Sequence, residues 1–190
     1  RLAHEVVSAI QREHPGVVVW AARADSLRAG SPFSLLGQAL RVAAGIRQNE
    51  PAIRRRAHLQ SFVSAHVAPS ARARVTTFLG EIAGAPFDAA TIPELRAARS
   101  DPALMTEQLR AAFCELLAGV CSGSPLVLVL EDLHWGDLPS VRILDGALGD
   151  LERAPWMILA FGRPDVHEVF PRLWFERTLQ EVRLKPLARK

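Results

Sequence analysis

The stretch "LVLVLEDLHWGD", residues 126–137, limits the possible folds more than any other part of the chain. Five apolar residues, Leu126 to Leu130, run without interruption into two adjacent acids, Glu131 and Asp132. Such a run, bounded by turn residues, has the pattern of a strand buried on both faces, as strands are in a parallel sheet. Its flanks read as helices. Asp101-Pro102 supplies a cap and a first-turn proline, and Leu104, Met105, Gln108, Leu109, Ala112, Phe113, Leu116, Leu117 and Val120 follow at helical spacing until Ser122-Gly123-Ser124-Pro125. Beyond the acids, Val141, Leu144, Leu148 and Leu151 trace another helix after Pro139. A second apolar run, Trp156 to Phe161, then ends at Gly162-Arg163-Pro164.

The same grammar opens the chain. Leu2, Val6 and Ile10 form an apolar stripe that ends at His14-Pro15-Gly16, and Val17-Val18-Val19-Trp20 reads as a strand buried on both faces. No Ser, Thr, Asp or Asn precedes Arg1 to cap that first helix, so a segment upstream is expected. Residues 22–100 change character. Ser31-Pro32 is expected to start a helix running through Ile46, Pro51 opens another, and Pro69, Gly80, Gly84, Pro86 and Pro93 break the remainder into short helices. Val182 and Leu184 flank Arg183 like an edge strand, stopped at Pro186. Strands alternating with helices predict an α/β fold around a parallel sheet, with residues 22–100 as a helical insertion.

Composition removes several function classes. With 190 residues and 49% hydrophobic content the chain can bury a core, yet no apolar run approaches the roughly 20 residues that cross a bilayer. Residues 1–13 lack the apolar stretch of a signal peptide, so the expectation is a cytoplasmic protein without a membrane partner. Cys114 and Cys121 lie seven residues apart on one expected helix, roughly 10 Å, beyond disulfide reach, which predicts reduced structural thiols. A net charge of +3, carried by arginines scattered along helical faces, suits a solvated surface better than nucleic acid. The arginines of "LRAARSDP", Arg96 and Arg99, could face a phosphate, but a solvated face is the simpler reading. His4-Glu5 has no second histidine four residues after His4, so no zinc motif is present.

In open parallel sheets, ligands bind beyond the carboxyl ends of the strands. Two carboxylates at such an end repel each other unless something positive, such as a hydrated Mg²⁺, lies between them and a phosphate. One acid then holds the ion or its water, and the other polarises a water that attacks phosphorus. The plainer alternative is an acid that caps a strand-to-loop turn. For His134 and Trp135 the plainer alternative is packing under the sheet rim, and for Arg163 a surface turn.

The longer constellation, "LVLVLEDLHWGDLPS" followed by "WMILAFGRPD", resembles the signature of signal-transduction ATPases of the STAND class, relatives of the AAA+ fold. The resemblance extends to "SPFSLLGQALR" and "LRAARSDP", and is nearest to the ATPase module of large bacterial serine/threonine protein kinases and similar multidomain regulators. It implies a P-loop NTPase sheet, incomplete at the N-terminus, spread over residues 1–190: helix and first strand in 1–21, the helical insertion in 22–100, and the Walker B and sensor part in 101–190. It implies ATP and Mg²⁺ as cofactors, with Glu131 and Asp132 at the metal and Asp132 the better candidate to polarise water. It also implies that Arg163 reads the γ-phosphate, and that His134, Trp135 and Asp137 complete the nucleotide side and couple the acids to the following helix.

No G-x-x-x-x-G-K-[ST] occurs in the sequence. In the family that loop directly precedes residues like "RLAHE", so the chain is expected to start just past it. The family's first strand, central between the strand ending at Phe161 and the one near Val182, would then be missing, along with a lid beyond Lys190, leaving the chain alone unstable. The leading expectation is therefore part of an ATP·Mg²⁺ conformational switch. Its partners are a kinase domain and helical repeats on the same chain, with nucleotide-dependent self-association. A nucleotide-independent scaffold with an ATPase-like fold is the alternative, and a nucleic-acid-handling AAA+ ATPase comes third.

Overall fold

The computed structural model describes residues 2–28, 31–47 and 49–184, and these form an α/β fold. In chain order the elements are α1 (Leu2–Glu13), β1 (Val18–Arg23), α2 (Ser34–Ala43), α3 (Ala52–His66), α4 (Arg72–Ala83), α5 (Pro93–Ser100), α6 (Pro102–Gly123), β2 (Leu126–Glu131), α7 (Leu138–Asp150), β3 (Trp156–Ala160) and α8 (Val166–Val169). The three strands make one parallel sheet in the order β1-β2-β3. Val18 is in register with Leu126, which is in register with Trp156, so all three strands point their carboxyl ends the same way.

The sheet is covered unevenly. Leu126, Leu128 and Leu130 of β2, with Trp20 and Ala22 of β1, join the main core against α2 to α7. Only β2 is buried on both faces, through Val127 and Val129 as well. The expectation that the first strand is buried on both faces is corrected here: β1 alternates, with Trp20 and Ala22 buried and Ala21 and Arg23 exposed. Its apolar composition misleads because β1 is an edge strand and the helical layer covers one face. β3 is apolar throughout yet has no buried residue, and Met157 is 51% exposed.

Helix α6 organises the other layer. Asp101 accepts hydrogen bonds from the backbone N–H groups of Ala103 and Leu104 and so caps it, as the Asp-Pro pair predicts. Leu109, Ala112, Phe113, Leu116, Leu117 and Val120 fall on one face and are all buried. Each fully buried leucine or phenylalanine contributes about 1.5–3 kcal/mol relative to exposure. Close approach of neighbouring helices depends on two glycines. A Cβ on Gly119 of α6 would lie 2.0 Å from the His66 carbonyl oxygen of α3, and one on Gly37 of α2 would lie 2.1 Å from the Ile82 carbonyl oxygen of α4.

Two further expectations are corrected. Helix α2 starts at Ser34, not at Ser31-Pro32, and stops at Ala43 before Ile46. Phe33, in the left-handed region with φ 59°, precedes it, and the capping acceptor comes from far along the chain. The edge strand expected at Val182 and Leu184 does not form: residues 181–184 are irregular and both side chains are exposed, because no described strand lies alongside to pair with them. Pro186 lies outside the described residues. Both cysteines are free, as the spacing predicts.

Candidate functional site

Parallel register brings the carboxyl ends of β1, β2 and β3 together, and five of the six predicted site residues gather there. Glu131 ends β2, and Asp132 follows in the left-handed region at φ 54°, turning the chain into a single 3₁₀ turn, Leu133–Trp135. That turn is tied to the neighbouring strand end. Phe161 N–H donates to the Leu130 carbonyl (2.8 Å), and Leu133 N–H donates to the Phe161 carbonyl (2.9 Å). Arg163, two residues on, is thereby held beside the turn. Its backbone N–H donates to His134 Nδ1 (3.4 Å), and its guanidinium carbon sits 5.7 Å from the Trp135 ring centroid.

The His134 and Trp135 rings pack at 4.6 Å between centroids. His134 is buried, and its Nε2 has no hydrogen-bond partner among the described residues. With Nδ1 accepting from Arg163, the neutral ring carries its proton on Nε2, which makes that nitrogen a buried donor without an acceptor. An orphan of this kind costs about 1–3 kcal/mol and marks a functional position or a place for a bound water.

The two acids differ. Among the described residues none pairs with the Glu131 carboxylate. Asp132 Oδ2 accepts from Arg23 Nε at 2.8 Å, an exposed ion pair across the ends of β2 and β1. Arg23 escaped the sequence reading, although a signal existed: it closes β1 in register with Glu131, the residue that closes β2. Gln38 was missed too. Its Oε1 accepts the Arg23 backbone N–H at 2.6 Å, joining α2 to the strand end.

Asp137 does different work. It is buried, and its carboxylate accepts from Phe33 N (2.7 Å), Ser34 Oγ (3.2 Å), Leu35 N (3.1 Å), Ser140 N (2.8 Å) and Ser140 Oγ (2.9 Å). One side chain therefore caps the start of α7 and the start of α2 together. With its oxygens so engaged, Asp137 couples the turn to the following helix rather than presenting a free acceptor.

Magnesium asks little of a protein: one or two carboxylates, with waters and phosphate oxygens completing the octahedron. Glu131 and Asp132 fit that minimum, although Arg23 already holds one oxygen of Asp132. Among the described residues no group of three or more His, Cys, Asp and Glu is placed to hold a metal, so such an ion would depend on the ligand's phosphates. Some of the arginines that invite a nucleic-acid reading are neutralised by nearby acids. Arg99 pairs with Glu81, Arg74 with Glu115, Arg110 with Glu107 and Asp150, and Arg177 with Asp145. No helix among the described residues is long and apolar enough to cross a membrane. No protein-family model, curated protein or solved structure matches the chain.

Proposed function

We propose that the chain forms the acid-and-sensor side of an ATP·Mg²⁺ site in a P-loop-type signalling ATPase that works as a conformational switch in a multidomain regulator. The observation that supports this most is the meeting of Glu131, Asp132, His134, Trp135 and Arg163 at the carboxyl ends of two adjacent parallel strands. Glu131 and the free oxygen of Asp132 would hold Mg²⁺ or its water, and the ion would supply charge neutralisation at the phosphates. Asp132 then orients water, and breaking its ion pair with Arg23 frees the second oxygen. Arg163, exposed and braced by Trp135, supplies a cation to a phosphate. Among the described residues no strand pairs with the outer edge of β3, which agrees with the resemblance, where another strand is expected beside it.

A second reading, an interaction scaffold with this fold and no nucleotide, draws on a specific observation. The Arg23–Asp132 pair neutralises the acid without any metal, and the sequence holds no phosphate loop. Calorimetry with ATP and Mg²⁺ on the gene product that contains this chain separates the two. The switch reading expects saturable, Mg²⁺-dependent binding, with Asp132→Asn retaining ATP while turnover falls about 100-fold or more. A folded protein that binds no ATP leaves the scaffold reading.

A further inference from the structure

A cavity lies in the helical layer, apart from the acidic strand end. It has a volume of about 330 Å³ and is lined by Gln38, Arg41 and Val42 of α2, by Ile46 and Arg47 just beyond it, and by Arg55 of α3. Three of those six side chains are guanidiniums, and none is acidic. Arg47 and Arg55 have no carboxylate within ion-pair distance among the described residues. Arg55 Nε is moreover buried without a hydrogen-bond partner. Space for that guanidinium is left by Gly84, where a Cβ would stand 3.1 Å from Arg55 Nη1. Arg41 reaches across to the Ile82 carbonyl of α4 at 3.4 Å, which sets its guanidinium at the wall of the cavity.

Arg47 and Arg55 line the cavity without a carboxylate partner among the described residues, which leaves positive charge uncompensated at a cost in free energy, and a buried guanidinium N–H without an acceptor adds to it. Both costs vanish when an anion with several acceptor oxygens enters, because guanidiniums bind phosphate oxygens in charge-assisted, often bidentate pairs. One wall is different. Val42 and Ile46 offer an apolar side against which the uncharged part of a ligand would lie. The volume falls at the small end of ordinary ligand cavities, roughly 300–1,000 Å³, which suits a metabolite and not a macromolecule.

We propose that this cavity is a binding site for a small phosphorylated or pyrophosphorylated molecule, held by Arg41, Arg47 and Arg55 and independent of Mg²⁺. Independence from the metal follows from the lining, which has no carboxylate to hold one. The site is distinct from the acidic strand end, yet only one residue separates them. Gln38 lines the cavity and accepts the Arg23 N–H, and Arg23 holds Asp132, so an occupant that moves Gln38 bears on the strand end directly.

Calorimetric titration of Mg²⁺-free pyrophosphate, in EDTA and at physiological salt, tests the proposal, with inorganic phosphate as the weaker comparison probe. The expected result is saturable one-to-one binding that weakens about tenfold or more in Arg55→Gln and in Arg47→Gln. Val42→Glu places a negative charge at an exposed position on the rim and is expected to weaken binding as much, while Arg153→Gln, on the exposed turn before β3, leaves it within about twofold. Val42→Glu decides the matter if Arg55→Gln does not fold. Absence of saturable binding would overturn the proposal. So would Arg55→Gln or Val42→Glu binding pyrophosphate as tightly as the unaltered chain, because the arginines would then serve only to close the end of α4. Equal weakening in Arg153→Gln would also overturn it, because the anion would then be held by general positive charge and not by this cavity.

Discussion

Single side chains carry more of this structure than their surroundings suggest, and Asp137 is the clearest case. Five donors from two helix starts converge on one buried carboxylate, and each hydrogen bond to a charged group is worth about 1.5–3 kcal/mol when its loss strands a partner. Asp137→Ala is therefore expected to destabilise the chain by at least about 3 kcal/mol, read from the urea unfolding midpoint. Asp137→Asn should recover little, since its amide group would face N–H donors. Cys114 makes a different kind of prediction. Burial first, and then the Asp150 carboxylate 3.7 Å from its sulfur, push the thiol from the ordinary 9.0 up to about 11. The folded state thus holds the proton more tightly than the unfolded one. Its contribution to stability is complete below pH 9.0 and is lost as pH rises from there to about 11. At pH 8 the folded chain should alkylate slowly at Cys114 and the urea-unfolded chain much faster. Asp150→Asn should speed the folded reaction, as the remaining Arg110 favours thiolate.

Among the elements, α6 shows how local and non-local determinants divide. Its start is local: Asp101 and Pro102 specify it, and Asp101→Ala is expected to cost about 1 kcal/mol by thermal or urea unfolding. Its position is not local. Gly119 lets the His66 carbonyl of α3 come within a distance no Cβ tolerates, so Gly119→Ala must push the two helices apart. Overpacking of that kind typically costs about 1–3 kcal/mol, against the slight gain expected from replacing glycine inside an isolated helix. A measured stabilisation would mean that α3 and α6 do not meet through Gly119. Helix α2 is the opposite case from α6, since its first turn is satisfied by Asp137, a residue more than a hundred positions away.

Across the described residues the dominant feature is a sheet whose second face is buried only along β2 and whose two outer edges have no strand paired to them. Met157 projects from β3 in register with Val127, and β3 carries no buried residue on either face. Exposed apolar strands with unpaired edges invite association. The chain by itself is expected to self-associate as concentration rises, and Met157→Lys should suppress that in light scattering while leaving the unfolding midpoint nearly unchanged. An unaffected association would place the contact elsewhere, for instance on the exposed Phe175.

Much of the architecture was legible in the sequence because it rests on short-range chemistry. Continuous apolar runs marked β2 and β3, helical periodicity and an Asp-Pro cap marked α6, and parallel pairing followed from strands alternating with helices. The acids and Arg163 were legible as candidates because they stand at the abrupt ends of those runs. Three things were not. Apolar composition does not say which face of an edge strand is covered, so β1 and β3 looked more buried than they are. Capping by Asp137 and pairing by Arg23 join residues about a hundred positions apart, and no local pattern records such a partner. The arginine cavity between α2, α3 and the end of α4 depends on spatial neighbours, among them Gly84, where a Cβ would crowd the Arg55 guanidinium. The sequence by itself determined which segments become strands and helices and which acids end them. Tertiary structure alone decided which charges are neutralised and which stay free, since that depends on the geometry of packing between distant elements.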